Sequence, residues 1–184
     1  MRILGVSGSL RAGSYNTALL RAAMELTPAG MQIEPFAGLK AVEPFDADDE
    51  PGDDLPGVVA WREALRAHGA VLFVTPEYNA GIPGQLKNAI DWASRPGGEG
   101  STLWAKPVVA IGSSTSAFGA AWAGADLRKV LAGAGARVLE HELAVPRAHE
   151  RFDERGALVS RPIERKLSEL LLATAADLER LLVR

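Results

Sequence analysis

The chain of 184 residues is 47% apolar and 23% charged with a net charge of −3, the mix of one ordinary globular domain, residues 1–184, with chain enough for a sizeable core. So mild a charge points to no nucleic-acid or membrane partner, and no apolar run approaches the length of a bilayer span. With no cysteine, disulfides, thiol catalysis and thiolate metal sites are excluded, which is compatible with a cytoplasmic protein.

The opening "MRILGVSGSL" has one Arg and a short apolar stretch, so it reads as a strand over residues 2–7 rather than a signal peptide. A helix over 15–26 follows, with Ala18, Leu19, Ala22, Ala23 and Leu26 on one face. Ser14 is its N-cap candidate, and Pro28 with Gly30 stops it. Residues 31–36 form a short second strand. Residues 37–54 carry "EPFDADDEPGDD", read either as a solvated linker or as a lid or oligomer-contact loop. A helix over 58–68 ends at Gly69, and a strand over 70–75 leads through "PEYNAGI" to a helix over 83–94 with Pro83 at its first position. "RPGGEGS" is a loop before a strand over 107–112 and a helix over 119–133 rich in Ala and Gly. A fifth strand runs from 137 to 140 or beyond. The last helix, over 161–182, aligns Leu167, Leu170, Leu171, Ala175, Leu178 and Leu182, a stripe that covers the sheet or serves an interface.

Short apolar strands alternating with helices predict an α/β fold whose parallel sheet is covered on both faces. Right-handed crossovers leave few topologies. For five strands the expectation is a flavodoxin-like three-layer sandwich of strand order 2-1-3-4-5. Ligands of such sheets bind beyond the carboxyl ends, where the winding reverses between strands one and three.

The most distinctive loops follow those two strands. "SGSLRAGSYNT", residues 7–17, places Ser9, Arg11, Ser14, Asn16 and Thr17 at a helix N-terminus. Free N–H groups there attract a phosphate, Arg11 can add a bidentate charged contact, and Ser9, Ser14 and Asn16 can donate neutral hydrogen bonds. The loop lacks the Lys of a Walker A motif and the G-x-G-x-x-G of a dinucleotide fingerprint; the plain alternative is a Gly/Ser-rich capping turn. After strand three, Pro76-Glu77-Tyr78-Asn79 suits a flat ring system, with backbone N–H groups of Glu77, Tyr78 and Asn79 for its polar edge and Tyr78 for an aromatic contact. Gly81 and Gly84 would permit close backbone approach, or simply make the turn. Lys87 and Asp91 read as a surface pair. A third loop, "GSSTSAFGAAW", offers Ser113, Ser114 and Gly119 to close over the same ligand, or is a plain Ser/Thr turn. His68, His141 and His149 are scattered and read as surface or satisfied histidines.

"GSLRAGSYN" together with "TPEYNAGIPGQLKNAIDW" resembles the NADPH-dependent FMN reductase family, flavodoxin-like quinone, azo and chromate reductases; the likeness runs from the first strand to the end of the fifth. The resemblance implies a non-covalent FMN. Ser9, Arg11, Ser14, Asn16 and Thr17 would hold its phosphate, Pro76, Glu77, Tyr78 and Asn79 would face the isoalloxazine, and Ser113, Ser114 and Gly119 would form the third side. It implies an oxidoreductase passing hydride from NAD(P)H through FMN to a small acceptor (quinone, flavin, azo compound or metal oxyanion), as a homodimer or homotetramer. No catalytic side chain is required of the protein. Gly119-Ala120 and Ala125 depart from the family's frequent paired Gly and Tyr, which bears on tetramer contacts and substrate preference rather than on flavin binding. The alternative is a flavodoxin-type electron carrier without its own NAD(P)H turnover.

Overall fold

The computed structural model describes residues 1–50 and 55–182. Five strands, β1 (Arg2–Ser7), β2 (Gln32–Pro35), β3 (Ala70–Thr75), β4 (Pro107–Ser113) and β5 (Arg137–Val145), form one parallel sheet in the order β2-β1-β3-β4-β5. All six residues of β3 are buried, as expected of an apolar run with helices on both faces. The edge strands are shorter or alternate. β2 has four residues ending in Pro35, which an edge tolerates. β5 runs nine residues, alternates in exposure and slips register against β4 between Val108 and Ala110, the mark of a β-bulge.

Alternation along the strands feeds two cores. Ile3, Leu72, Val74, Val109 and Ile111 pack under α1 (Tyr15–Glu25) and α5 (Arg161–Leu182). Leu4, Val6, Val71, Phe73 and Val108 pack under α2 (Pro56–Ala67), α3 (Gly84–Ala93) and α4 (Ala121–Gly133). Leu167, Leu170, Leu171 and Leu178 are buried in the first core, so the stripe of the last helix covers the sheet. Each fully buried leucine contributes about 1.5–3 kcal/mol of transfer free energy.

Helix starts differ from the sequence reading where the cap is non-local. α2 begins two residues early, at Pro56, because the Glu43 carboxylate accepts from Gly57 N (3.1 Å) and Val58 N (3.0 Å), a cap supplied from another segment. Gly57 also lies so close to the Ala41 carbonyl that an added Cβ would be 2.0 Å from its oxygen. Pro83 is the N-cap of α3, with ψ 139, not its first residue. Gly119 (φ 64) and Ala120 (φ 68) are left-handed, so α4 starts at Ala121 rather than 119.

The acidic stretch is no free linker over its described part. Gln85 Nε2 donates to the carbonyls of Leu39 and Val42, both at 2.8 Å. Asn88 accepts from Phe45 N at 2.7 Å and donates to Glu43 O at 2.8 Å. Phe45 meets the Trp92 ring edge-on, and Leu39 and Val42 are buried. Residues 51–54 of that stretch lie outside the described residues. The Lys87–Asp91 pair forms on the surface of α3 at 2.7 Å. No helix among the described residues is long and apolar enough to cross a membrane.

Candidate functional site

The loops leaving β1, β3 and β4 converge beyond the carboxyl edge of the sheet around a cleft of about 240 Å³. Its lining brings together Ser9, Arg11, Ser14 and Asn16 from the first loop, Pro76, Glu77 and Tyr78 from the second, and Ser113 and Ser114 from the third. Thr17, Asn79 and Gly119 are not among the lining residues. Tyr15 and Thr115 line it as well; their only sequence signal is position, at the first turn of a helix and inside the hydroxyl run.

On the first wall, Ser14 caps α1, its Oγ accepting from Asn16 N at 3.1 Å. That leaves the Ser14 hydroxyl proton free to be donated. The N–H groups of Ser9, Leu10 and Tyr15 have no partner among the described residues. The exposed Arg11 guanidinium donates to Gly13 O at 3.2 Å and has no carboxylate within ion-pair distance among the described residues. Unpaired N–H groups in the loop and at the helix start, two hydroxyls and a guanidinium without a carboxylate partner among the described residues make a metal-free cradle for a phosphate.

Two residues of this loop are committed elsewhere. Asn16 is buried, accepting from Ser113 N at 2.9 Å and donating to Ser113 O at 3.0 Å. Its amide therefore staples the first loop to the end of β4 rather than serving as a simple donor to ligand. The Thr17 hydroxyl pairs with Ser7 Oγ at 2.9 Å, in the first turn of the helix and off the cleft.

The second wall also departs from the sequence expectation. Tyr78 and Gly81 exchange both backbone hydrogen bonds at 3.0 Å, so the Tyr78 N–H is spent within the turn, while those of Glu77 and Asn79 have no partner among the described residues. The left-handed residues are Asn79 (φ 52) and Ala80 (φ 61), not Gly81 or Gly84. Two successive positive φ values at the centre of a four-residue turn are the type I′ geometry. The turn leaves the Tyr78 ring 49% exposed at the rim. The Glu77 carboxylate turns away to α4, accepting from Trp122 N (3.1 Å) and Ala123 N (3.2 Å).

On the third wall, Ser113 is 1% exposed, and its Oγ has no hydrogen-bond partner. A buried hydroxyl without a partner is costly, and one in the lining of a cleft marks where a ligand's polar atom would satisfy it. Ser114 Oγ accepts from Ser116 N at 3.1 Å, holding the loop's curve. Gly119 packs against β5: an added Cβ would lie 2.6 Å from Pro146 N. Its glycine is required by strand packing and a positive φ, not by the cleft. Phe118 and Trp122, with centroids 4.7 Å apart, extend an exposed aromatic rim beside the site.

The histidines take no part. His68 lies 2.7 Å from Ala64 O and 3.3 Å from Glu34, and His141 lies 2.8 Å from Asp177. No cluster of metal-ligating side chains occurs among the described residues. The strongly shifted carboxyl, Glu34, held down at about 2 by its hydrogen bond from Arg2, is on β2 and does not line the cleft. The cleft thus has the donor set for a phosphate at one end and a buried polar group and an aromatic edge for a flat ring at the other, which fits FMN.

Residues 1–150 match the family described as NADPH-dependent FMN reductase. An NAD(P)H-dependent FMN reductase of Pseudomonas aeruginosa is 38% identical over 98% of this chain and 97% of its own length. An NAD(P)H:quinone oxidoreductase of Solanum tuberosum is 35% identical over 96% of this chain and 92% of its own. Among solved structures, the flavoenzyme NAD(P)H:(acceptor) oxidoreductase of Paracoccus denitrificans superposes with a TM-score of 0.86 at 28% identity, covering 97% of both chains.

Proposed function

The chain belongs to the NADPH-dependent FMN reductase family, and from that premise we propose how its cleft is used: as the seat of a non-covalent FMN serving a quinone-type acceptor. It is an FMN-dependent NAD(P)H oxidoreductase of flavodoxin-like fold. When bound, FMN supplies the two-electron chemistry, taking hydride from the reduced nicotinamide and passing it to an acceptor.

The protein's own work is to bind, orient and expose. Ser9, Ser14 and Arg11, with the free N–H groups of Ser9, Leu10 and Tyr15, hold the phosphate. Asn16 keeps that cradle in register with β4 through its two bonds to Ser113. Pro76 with the backbone of Glu77, the Tyr78 ring, and Ser113 with Ser114 border the flat ring. Thr17, Asn79 and Gly119 support these walls from outside. The observation that carries the assignment is the orphaned Ser113 hydroxyl in a cleft whose other end gathers a set of phosphate donors.

The acceptor is a small, flat molecule of the quinone class. The names of the relatives support this, as does the exposed rim of Tyr78, Phe118 and Trp122, which offers apolar contact to a planar ring. The same rim supports a homodimer or homotetramer, since exposed aromatics of this size favour an interface. Residues 1–184 then act as a single FMN-binding domain, in the cytoplasm, where the reduced nicotinamide pool is maintained.

The test is the visible spectrum of purified protein followed by anaerobic NADPH, then a benzoquinone. Flavin bands that bleach with NADPH and return with the quinone are expected. Bands that persist with NADPH would point to an electron carrier, and no flavin uptake would overturn the cofactor assignment.

A further inference from the structure

α4 begins without a local cap. Its N-cap residue is Ala120, in the left-handed region and without a side-chain acceptor, and its first turn holds no acidic residue. Ala121 N donates to Phe118 O at 3.2 Å, but left so, the N–H groups of Trp122 and Ala123 would be orphaned. Glu77, 45 residues earlier, fills the gap with one carboxylate oxygen shared by Trp122 N and Ala123 N at 3.1 and 3.2 Å. A second tie runs the opposite way: Asp126, in the second turn of α4, accepts from Ile82 N at 3.3 Å. The Tyr78 turn lies between these anchors, closed on itself by the Tyr78–Gly81 pair and carrying left-handed Asn79 and Ala80. A non-glycine left-handed residue is unfavourable by itself, so such a turn holds its shape only where its surroundings determine it.

We propose that Glu77 and Asp126 form a two-point clamp on α4 that fixes the Tyr78 turn, making both carboxylates positioning residues for the flavin wall rather than contacts of the flavin. The proposal rests on the FMN reading above. The Glu77 charge is turned into the positive end of a helix, a favourable partner for a carboxylate. It is thereby directed toward the helix, while the residue itself stays in the cleft lining. One residue thus couples the flavin wall to the helix that bears Trp122.

The test uses FMN titration of wild type, Glu77→Gln, Glu77→Ala and Asp126→Ala, read by quenching of flavin fluorescence, with the absorption band shape of the bound flavin recorded for each. Wild type that takes up no FMN refutes the parent reading and is distinguished at once. Given binding, Glu77→Ala is expected to raise the FMN Kd about tenfold, equivalent to ~1.4 kcal/mol, and to shift the band shape toward that of free flavin. Glu77→Gln keeps an acceptor oxygen and is expected to stay within about threefold of wild type. Asp126→Ala, outside the cleft lining, is expected to weaken binding about threefold. Wild-type affinity and spectrum in Glu77→Ala would overturn the clamp. So would a Gln variant as impaired as the Ala variant, because an acceptor oxygen held at the helix start would then not be what fixes the turn. Should Glu77→Ala fail to fold, Asp126→Ala decides, and an unchanged Kd there overturns the proposal.

Discussion

Replacing Ser113 by alanine should move the apoprotein and the FMN complex in opposite directions. The hydroxyl is 1% exposed and without a partner, while the backbone N–H and C=O of the same residue are both taken by Asn16. An unsatisfied buried hydroxyl costs about 1–3 kcal/mol, and removing one oxygen leaves a void too small to cancel that. Ser113→Ala should therefore stabilise the apoprotein by ~1 kcal/mol, which for a chain of this size raises Tm by about 2–4 °C. In the complex the same change removes a hydrogen bond of about 0.5–1.5 kcal/mol to the ligand, so the FMN Kd should rise roughly two- to tenfold. Calorimetry of the apoprotein and fluorescence titration with FMN read the two arms separately. An apoprotein made less stable, with FMN affinity unchanged, would refute the view that this hydroxyl awaits the ligand.

Arg11→Ala removes the guanidinium of the phosphate cradle, which donates only to Gly13 O among the described residues. A charged hydrogen bond is worth about 1.5–3 kcal/mol, so FMN affinity should fall at least tenfold and lose salt dependence; unchanged retention of flavin on a desalting column would sink the phosphate assignment. Ala80→Gly relaxes a left-handed alanine, φ 61, that costs about 1–2 kcal/mol. Glycine's greater unfolded-state freedom returns about 0.4–1 kcal/mol, so a net gain of up to ~1.6 kcal/mol should appear as a higher apoprotein Tm. Glu34 titrates at about 2 in the folded chain against an ordinary 4.5, chiefly through its hydrogen bond from Arg2. A depressed folded value means that its stabilisation is present above the unfolded value and is lost as pH falls through the folded one. The gap in urea midpoint between wild type and Glu34→Gln should be open near pH 6 and close between about pH 4.5 and pH 2. A gap that persists at the acid end would contradict the linkage.

Most of the architecture was legible because it follows from local rules. β3 is buried at every position, and apolar up to Thr75, since helices cover both its faces, and the crossover rule left few topologies, among them the order found, β2-β1-β3-β4-β5. The place of the cleft was legible from the expected order: loops after β1 and β3 share the switch-point crevice. Ser14 as the cap of α1 was readable because its partner, Asn16 N, is two residues away. The early start of α2 was not, since its cap, Glu43, lies 14 residues upstream in a stretch whose acidity suggested solvent.

Composition and periodicity thus determined the alternation of strands and helices and with it the class of fold, because those rest on contacts repeated every two or four residues along the chain; the strand order was an expectation among few topologies, which the sheet then fixed. Tertiary structure alone decided what the side chains of the cleft loops do. Asn16 reaches 97 residues to Ser113, Glu77 reaches 45 to α4, and Gly119 is claimed by the end of β5. A carboxylate or an amide can satisfy a ligand or a distant backbone group equally well. Only the fold sets which of those partners stands within hydrogen-bond distance, and so which residues are left for a ligand.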